Sequence, residues 1–200
     1  MEEKNYPILD IGIAVFTQPG ETESGDLHVV APFAAGVLIA VVDGIGHGPE
    51  AAKVARIATR VMKDYSHENL QSLIQRCHNA LHGTRGVVMS LASFNHETKI
   101  MIWAGVGNVQ GNLLPMDKLR GSKTLLLSMG TLGQQIGSVH PTELAVKPGD
   151  TLVFTTDGIR EDFHQGLNLK QSPQQLANDI LARSARYTDD ALVLVGRYVI

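Results

Sequence analysis

Hydrophobic positions fall along the chain in runs of two kinds. Val37 to Val42 form an unbroken apolar stretch that ends on Asp43, with Gly36 before it and Gly44 after it. A run this short, rich in β-branched residues and bounded by glycines, predicts a strand buried on both faces. Gly44, Gly46 and Gly48 then turn the chain, and Pro49 suits the first position of a helix. Ala51, Val54, Ala55, Ala58, Val61, Met62 and Tyr65 recur at helical spacing, which predicts an amphipathic helix over roughly 50–65. A second helix, over roughly 68–82, presents Leu70, Leu73, Ile74, Cys77 and Leu81 and ends at Gly83. Further strands are predicted at 8–17, 27–31, 87–94, 100–106, 151–156 and 191–200. Asn95 to Lys99 reads as a hairpin connection, and 112–127 holds one or two short strands. Gly130, Gly133 and Gly137 punctuate a loop, and Pro148-Gly-Asp150 makes a turn. A last helix over 173–185 takes Ser172 as its cap and Pro173 at its first position. Strands outnumber helices and the helices come in blocks, so the pattern is α+β rather than a regular alternation.

Composition narrows the setting. Two hundred residues suffice for one core, so residues 1–200 are expected to form a single domain. A net charge of −3, with no cluster of Lys and Arg, argues against nucleic acid as a partner. One cysteine, Cys77, excludes an internal disulfide and fits a reducing compartment; its place on an apolar helical stripe marks a buried, inert thiol. Met1-Glu-Glu-Lys-Asn5 lacks the features of a signal peptide. The apolar segment 29–42 is broken by Pro32 and Gly36 and is too short to span a bilayer. A cytoplasmic protein with no membrane association is the expectation.

The chemistry lies at the ends of the apolar runs. Asp26, Asp43, Asp157 and the Asp189-Asp190 pair each stand at the edge of one, and Asp43 and Asp157 are each followed by glycine. A carboxylate at the end of a buried strand is costly unless something cationic stands against it. Hard oxygen donors without Cys or His nearby suit Mg²⁺ or Mn²⁺ rather than zinc. Acids converging from separate strands can hold two such ions roughly 3.5–4 Å apart. An Asp-Gly pair is most often a simple turn, but two of them, each closing a buried strand, favour a metal site.

Four motifs carry a resemblance. Asp43-Gly-Ile-Gly-His-Gly48, Gly105-Val-Gly-Asn-Val109, Pro148-Gly-Asp-Thr-Leu-Val-Phe-Thr-Thr-Asp157-Gly158 and Asp189-Asp190 occur in the order found in metal-dependent (PPM, type-2C) protein phosphatases. The chain resembles their SpoIIE branch over roughly residues 20–198, and, with no sensor or membrane domain attached, most resembles the lone-domain phosphatases that act on the stressosome. The resemblance implies a four-layer α-β-β-α sandwich, two antiparallel sheets flanked by helix pairs. It implies hydrolysis of phosphoserine and phosphothreonine by a hydroxide bridging two Mn²⁺ or Mg²⁺ ions. Asp43 would bridge both ions, the Gly44 carbonyl and Asp26 would join the second site, and Asp157 and Asp189 would complete the first. Asp190 would stand behind the ligands. The implied substrate is a phosphorylated STAS-domain scaffold protein of the stressosome, in negative regulation of the general stress response.

The pattern also departs from that family. Ile45 replaces the histidine that follows Asp-Gly in its eukaryotic members, leaving His47, two residues on, as the candidate general acid. No arginine precedes Arg56 to match the family's phosphate-binding arginine, which makes Arg85 the candidate. Ala191-Leu192 stand where a threonine is usual after the paired acids. These gaps admit a catalytically silent, phosphoprotein-binding member as the alternative, and a small-molecule phosphatase as a third reading. A dinucleotide-binding turn is disfavoured, since Pro49 stands where the third glycine of G-x-G-x-x-G belongs. No Gly-Lys-Ser/Thr follows Gly137, so a P-loop is unsupported. His78 and His82 share a helical face without a third ligand and read as a solvated face rather than a zinc site, and Trp103 reads as core.

Overall fold

The structure, a computed structural model, describes residues 8–200; Met1–Asn5, on which the signal-peptide expectation rests, lie outside the described residues. In chain order the elements are β1 (Leu9–Phe16), β2 (Asp26–Phe33), β3 (Gly36–Gly44), α1 (Gly48–Asp64), α2 (Leu70–Ala80), β4 (Val87–Asn95), β5 (Ile100–Val106), β6 (Gln110–Leu114), β7 (Lys123–Thr124), β8 (Gly130–Thr131), β9 (Gln135–Ile136), β10 (Thr142–Ala145), β11 (Thr151–Thr155), α3 (Pro173–Ser184) and β12 (Ala191–Tyr198). One sheet runs β1-β12-β11-β6-β7 and the other β10-β5-β4-β3-β2, with neighbours antiparallel throughout.

The apolar run of β3 explains the layering. Successive side chains of a strand point to opposite faces. Val37, Ile39 and Val41 enter the core between the sheets, beside Phe94, Trp103, Phe154, Leu194 and Tyr198. Leu38, Ala40 and Val42 face the other way, into a second core with Ala55, Ala58, Met62, Leu73 and Ile74 of the two consecutive helices. Each Val, Leu or Ile so buried contributes about 1.5–3 kcal/mol. A third core holds α3, through Leu176, Ala177 and Ile180, on the outer face of the first sheet against Val153, Val193 and Val195. The expected sandwich is therefore present, with one difference in detail. α1 and α2 pair on one flank, whereas among the described residues the other carries α3 with the short 3₁₀ turn Glu161–His164 beside it.

Local signals fixed most boundaries. Ser172 caps α3 in a reciprocal arrangement with Gln175, and Pro173 stands in its first turn. The second helix begins at Leu70, two residues later than expected, because Asn69 accepts the Ser72 amide and so acts as the cap. The glycine-punctuated segment 130–137 contains a two-residue hairpin, β8 with β9. β10, not foreseen, pairs with β5 at the sheet edge, where Thr142-Glu-Leu-Ala145 offers no apolar run to read. Trp103 and Cys77 are both buried as expected, and burial pushes the Cys77 thiol up to about 12.

Candidate metal centre at one end of the sandwich

Four strand ends, two from each sheet, bring the acidic residues to the same end of the molecule. Asp26 opens β2 and Asp43 closes β3, and the two are direct partners across the ladder. Asp157 lies just beyond β11, and Asp189 and Asp190 just before β12, the neighbouring strand of the other sheet. Thr156 ties the sheets together there: its hydroxyl donates to Asp26 Oδ2 at 2.7 Å and accepts the Leu192 amide at 2.9 Å.

Asp190 is only 4 % exposed and spends both oxygens on backbone, accepting the Gln18 amide at 2.8 Å and the Gly25 amide at 2.7 Å. It thus clamps both ends of the segment leading into Asp26. Asp189 is exposed, with Oδ1 accepting the Asp190 amide at 2.8 Å. Asp157 is likewise exposed and accepts from Asn108 Nδ2 at 3.0 Å.

The glycines beside these acids have a steric cause. A Cβ on Gly44 would stand 2.2 Å from the Ala51 carbonyl oxygen, and one on Gly158 would stand 2.0 Å from that of Asp190. Both aspartates are thereby held where the chain passes against another backbone. Gly46 and Gly48 adopt φ of +97° and +68°, the left-handed region that the entry to α1 requires.

Electrostatics set this end apart. Burial, reinforced by the charges of Asp26, Asp157, Asp189 and Asp190, pushes Asp43 up to about 9. Burial also pushes Asp26 up to about 7, against the lowering effect of the Thr156 hydroxyl and with the other acids adding to the rise. Asp157 is raised too, by burial and by Asp189, while Asn108 and Arg186 oppose the shift. Mutually repelling carboxylates partly removed from water are a donor set suited to hard divalent cations. Among the described residues they converge without closing into a finished cage of three acids around one point. A cavity of about 430 Å³ near Phe33, His67 and Glu143 lies toward the opposite end of the second sheet and contains none of them.

The remaining candidates fall around the rim. His47, at the entry to α1, meets Glu21 Oε1 through Nδ1 at 2.5 Å, and its side chain is 59 % exposed. Arg85 donates from Nη1 to the Ile45 carbonyl at 3.2 Å, over the turn that follows Asp43 and Gly44. His78 accepts the Gly133 amide through Nδ1 rather than pairing with His82, as a solvated face allows. Sequence reasoning missed Thr156, Asn108 and Arg186 as individual residues. The first two lie inside motifs already singled out, and only Arg186, three residues before Asp189, carries no signal of its own.

Comparisons with known proteins bear on the family and the fold. The family model described as Stage II sporulation protein E (SpoIIE) matches residues 34–198. Phosphoserine phosphatase RsbX of Bacillus subtilis (strain 168) is 24 % identical over 179 residues, 89 % of each chain. Among solved structures, a chain from work on the bacterial stressosome, as a modular system adapted to control secondary messenger signalling, is 31 % identical. It covers 94 % of this chain and 99 % of its own, with a TM-score of 0.86. The crystal structure of RsbX in complex with magnesium gives a TM-score of 0.87 at 22 % identity, covering 98 % of both chains. A family match over residues 34–198, most of the length, on the same sandwich of sheets, means that the chain belongs to the SpoIIE family.

Proposed function

We propose that this chain, as a single domain over residues 1–200, is a protein serine/threonine phosphatase. The reading is that it removes phosphate from phosphoserine or phosphothreonine with two Mg²⁺ or Mn²⁺ ions. The observation that carries the reading is the convergence of Asp26, Asp43, Asp157 and Asp189 from two sheets onto one end of the sandwich, with Asp43 raised to about 9 by burial and by the charges of the other acids. Asp43 would serve both ions, joined by the Gly44 carbonyl and Asp26 on one side and by Asp157 and Asp189 on the other. When bound, such ions make a water acidic enough to attack and draw charge from the phosphoryl oxygens.

The chain's own groups would then do the positioning. Asp190 and Thr156 hold the segment that delivers Asp26, and Asn108 orients Asp157. Arg85, over the turn after Gly44, would meet the phosphate. His47 would act as the acid toward the leaving group, with Glu21 fixing its ring through Nδ1. The similarity to RsbX and to a stressosome-associated chain supports a phosphorylated STAS-domain scaffold as substrate, and with it a role in negative regulation of the general stress response in the cytoplasm. No helix among the described residues is long and apolar enough to cross a membrane.

The test is manganese-dependent hydrolysis of p-nitrophenyl phosphate and of a kinase-treated STAS scaffold, each against Asp157→Ala. Turnover that needs the metal and is lost in the variant supports the reading. Turnover no greater than the variant's would leave phosphoprotein binding without catalysis as the function, and preference for phosphometabolites would make the chain a small-molecule phosphatase.

A further inference from the structure

The cluster of acids creates a problem of charge. Asp26, Asp43, Asp157, Asp189 and Asp190 stand together at this end, so a phosphate monoester dianion entering the site is better held with a cation of the chain's own beside it. Of the chain's arginines, Arg56 is taken up by Glu23, and Arg85 spends Nη1 on the Ile45 carbonyl. Arg186 is differently placed. Its Nε donates to the Asp157 carbonyl at 3.0 Å, the side chain is exposed, and neither terminal nitrogen has a hydrogen-bond partner among the described residues.

The backbone around Arg186 is built to hold it. Its amide donates to the Gly158 carbonyl at 2.8 Å, and Ala185 bridges to Ile159. The next residue, Tyr187, adopts φ of +58°, an uncommon conformation for a residue with a side chain, and its ring meets Phe16 edge-on at 5.0 Å. Strain of this kind persists only where surrounding contacts enforce it, and it gathers at functional sites. One edge of the guanidinium is thus anchored beside Asp157 while the fork of Nη1 and Nη2 stays available. That fork matches two oxygens of a phosphoryl group, which a lysine ammonium does not.

Resting on the phosphatase reading above, we infer that Arg186 is a phosphate-binding residue of the site, gripping the substrate's phosphoryl oxygens from the Asp157 side. It stands at the Asp157 carbonyl, while Arg85 stands over the turn that follows Asp43 and Gly44.

The experiment compares the unaltered protein with Arg186→Ala and Arg186→Lys in saturating Mn²⁺. It measures kcat and KM for p-nitrophenyl phosphate, binding of inorganic phosphate to the manganese-loaded protein by calorimetry, and the Mn²⁺ concentration for half-maximal activation. Arg186→Ala should lower kcat/KM about 10- to 100-fold and weaken phosphate binding about 10-fold, with Arg186→Lys between them and the Mn²⁺ midpoint unchanged. A raised Mn²⁺ midpoint with unaltered phosphate binding would overturn the inference, since Arg186 would then serve only to orient Asp157. Variants matching an active parent within twofold in kcat/KM and in phosphate affinity would overturn it as well. Absence of manganese-dependent turnover in the unaltered protein would instead bring down the phosphatase reading, and this inference with it.

Discussion

Stripped of divalent ions, the fold should lose stability steadily as pH rises. Asp43 is pushed up to about 9 and Asp26 up to about 7, against 3.8 for an ordinary aspartate. The folded chain therefore holds protons that the unfolded chain has already released. For a carboxyl group whose value is raised on folding, the stabilising contribution is complete below the unfolded value and disappears as pH climbs through the folded one. Each such proton is worth about 1.4 kcal/mol per pH unit. Counting Asp43 alone, from about pH 5.5 to about pH 7.5, the loss is about 3 kcal/mol. For a domain of this size that corresponds to a fall in Tm of about 6–12 °C, with Asp26 adding to it below its own folded value. The assay is thermal unfolding followed by circular dichroism in chelator, repeated with excess Mn²⁺ or Mg²⁺, for the unaltered protein and for Asp43→Asn. The cation binds the deprotonated acids, so it should abolish or reverse the slope and add about 2.7 kcal/mol at a hundredfold excess over its Kd. Asp43→Asn should lose most of the slope in chelator. A Tm that stays level or climbs with pH in chelator, or a slope equally steep in Asp43→Asn, refutes the reasoning.

Other substitutions probe the supports of the site. Thr156→Val leaves the Asp26 carboxylate and the buried Leu192 amide each without a partner, at a cost of about 2–4 kcal/mol; urea unfolding should show a lower midpoint at unchanged slope. Gly158→Ala pushes a methyl group against the Asp190 carbonyl, which backbone movement must relieve, and should cost at least about 1–3 kcal/mol in the same measurement. Asp190→Asn replaces one of two carboxylate acceptors by the carboxamide NH2, a donor facing a backbone N–H, loosening the segment that delivers Asp26. The Mn²⁺ concentration for half-maximal activity should rise about 10- to 100-fold; an unmoved midpoint would show that the clamp plays no part in metal affinity.

What could be read in advance was whatever local pattern determines. The β3 run had to be buried on both sides, because no polar residue from Val37 to Val42 offers a face to water. The acids at the strand ends were legible because burying them unpaired is costly. The unforeseen parts depend on contacts distant in sequence. β10 exists because β5 presents an edge to pair with, and the residues of β10 carry no signal of that. That α3 is the one α-helix on the second flank among the described residues is a matter of its packing against Val153, Val193 and Val195 rather than of any motif. Thr156 looked like the end of an apolar strand, and its role appears only once Asp26 and Leu192 stand on either side, 130 and 36 residues away.

The glycines show where the first reading of a motif was incomplete. Asp43-Gly44 and Asp157-Gly158 read in the sequence as turn glycines that, by closing two buried strands beside an acid, favour a metal site. Sterics alone already demand them: the Ala51 carbonyl crosses Gly44, and the Asp190 carbonyl crosses Gly158, too closely for any side chain. The second contact ties the chemistry together, because the backbone that presses on Gly158 belongs to the residue whose carboxylate clamps Gln18 and Gly25. Asp157, Asp190 and Asp26 are therefore coupled through one continuous line of backbone contacts and hydrogen bonds across both sheets. Moving any one of them as far as a methyl group on Gly158, 2.0 Å from the Asp190 carbonyl oxygen, would enforce must disturb the others. The spacing of the acids is thus a property of how the sheets meet, and mutations at Gly158 should reach Asp26 although no bond joins the two residues directly.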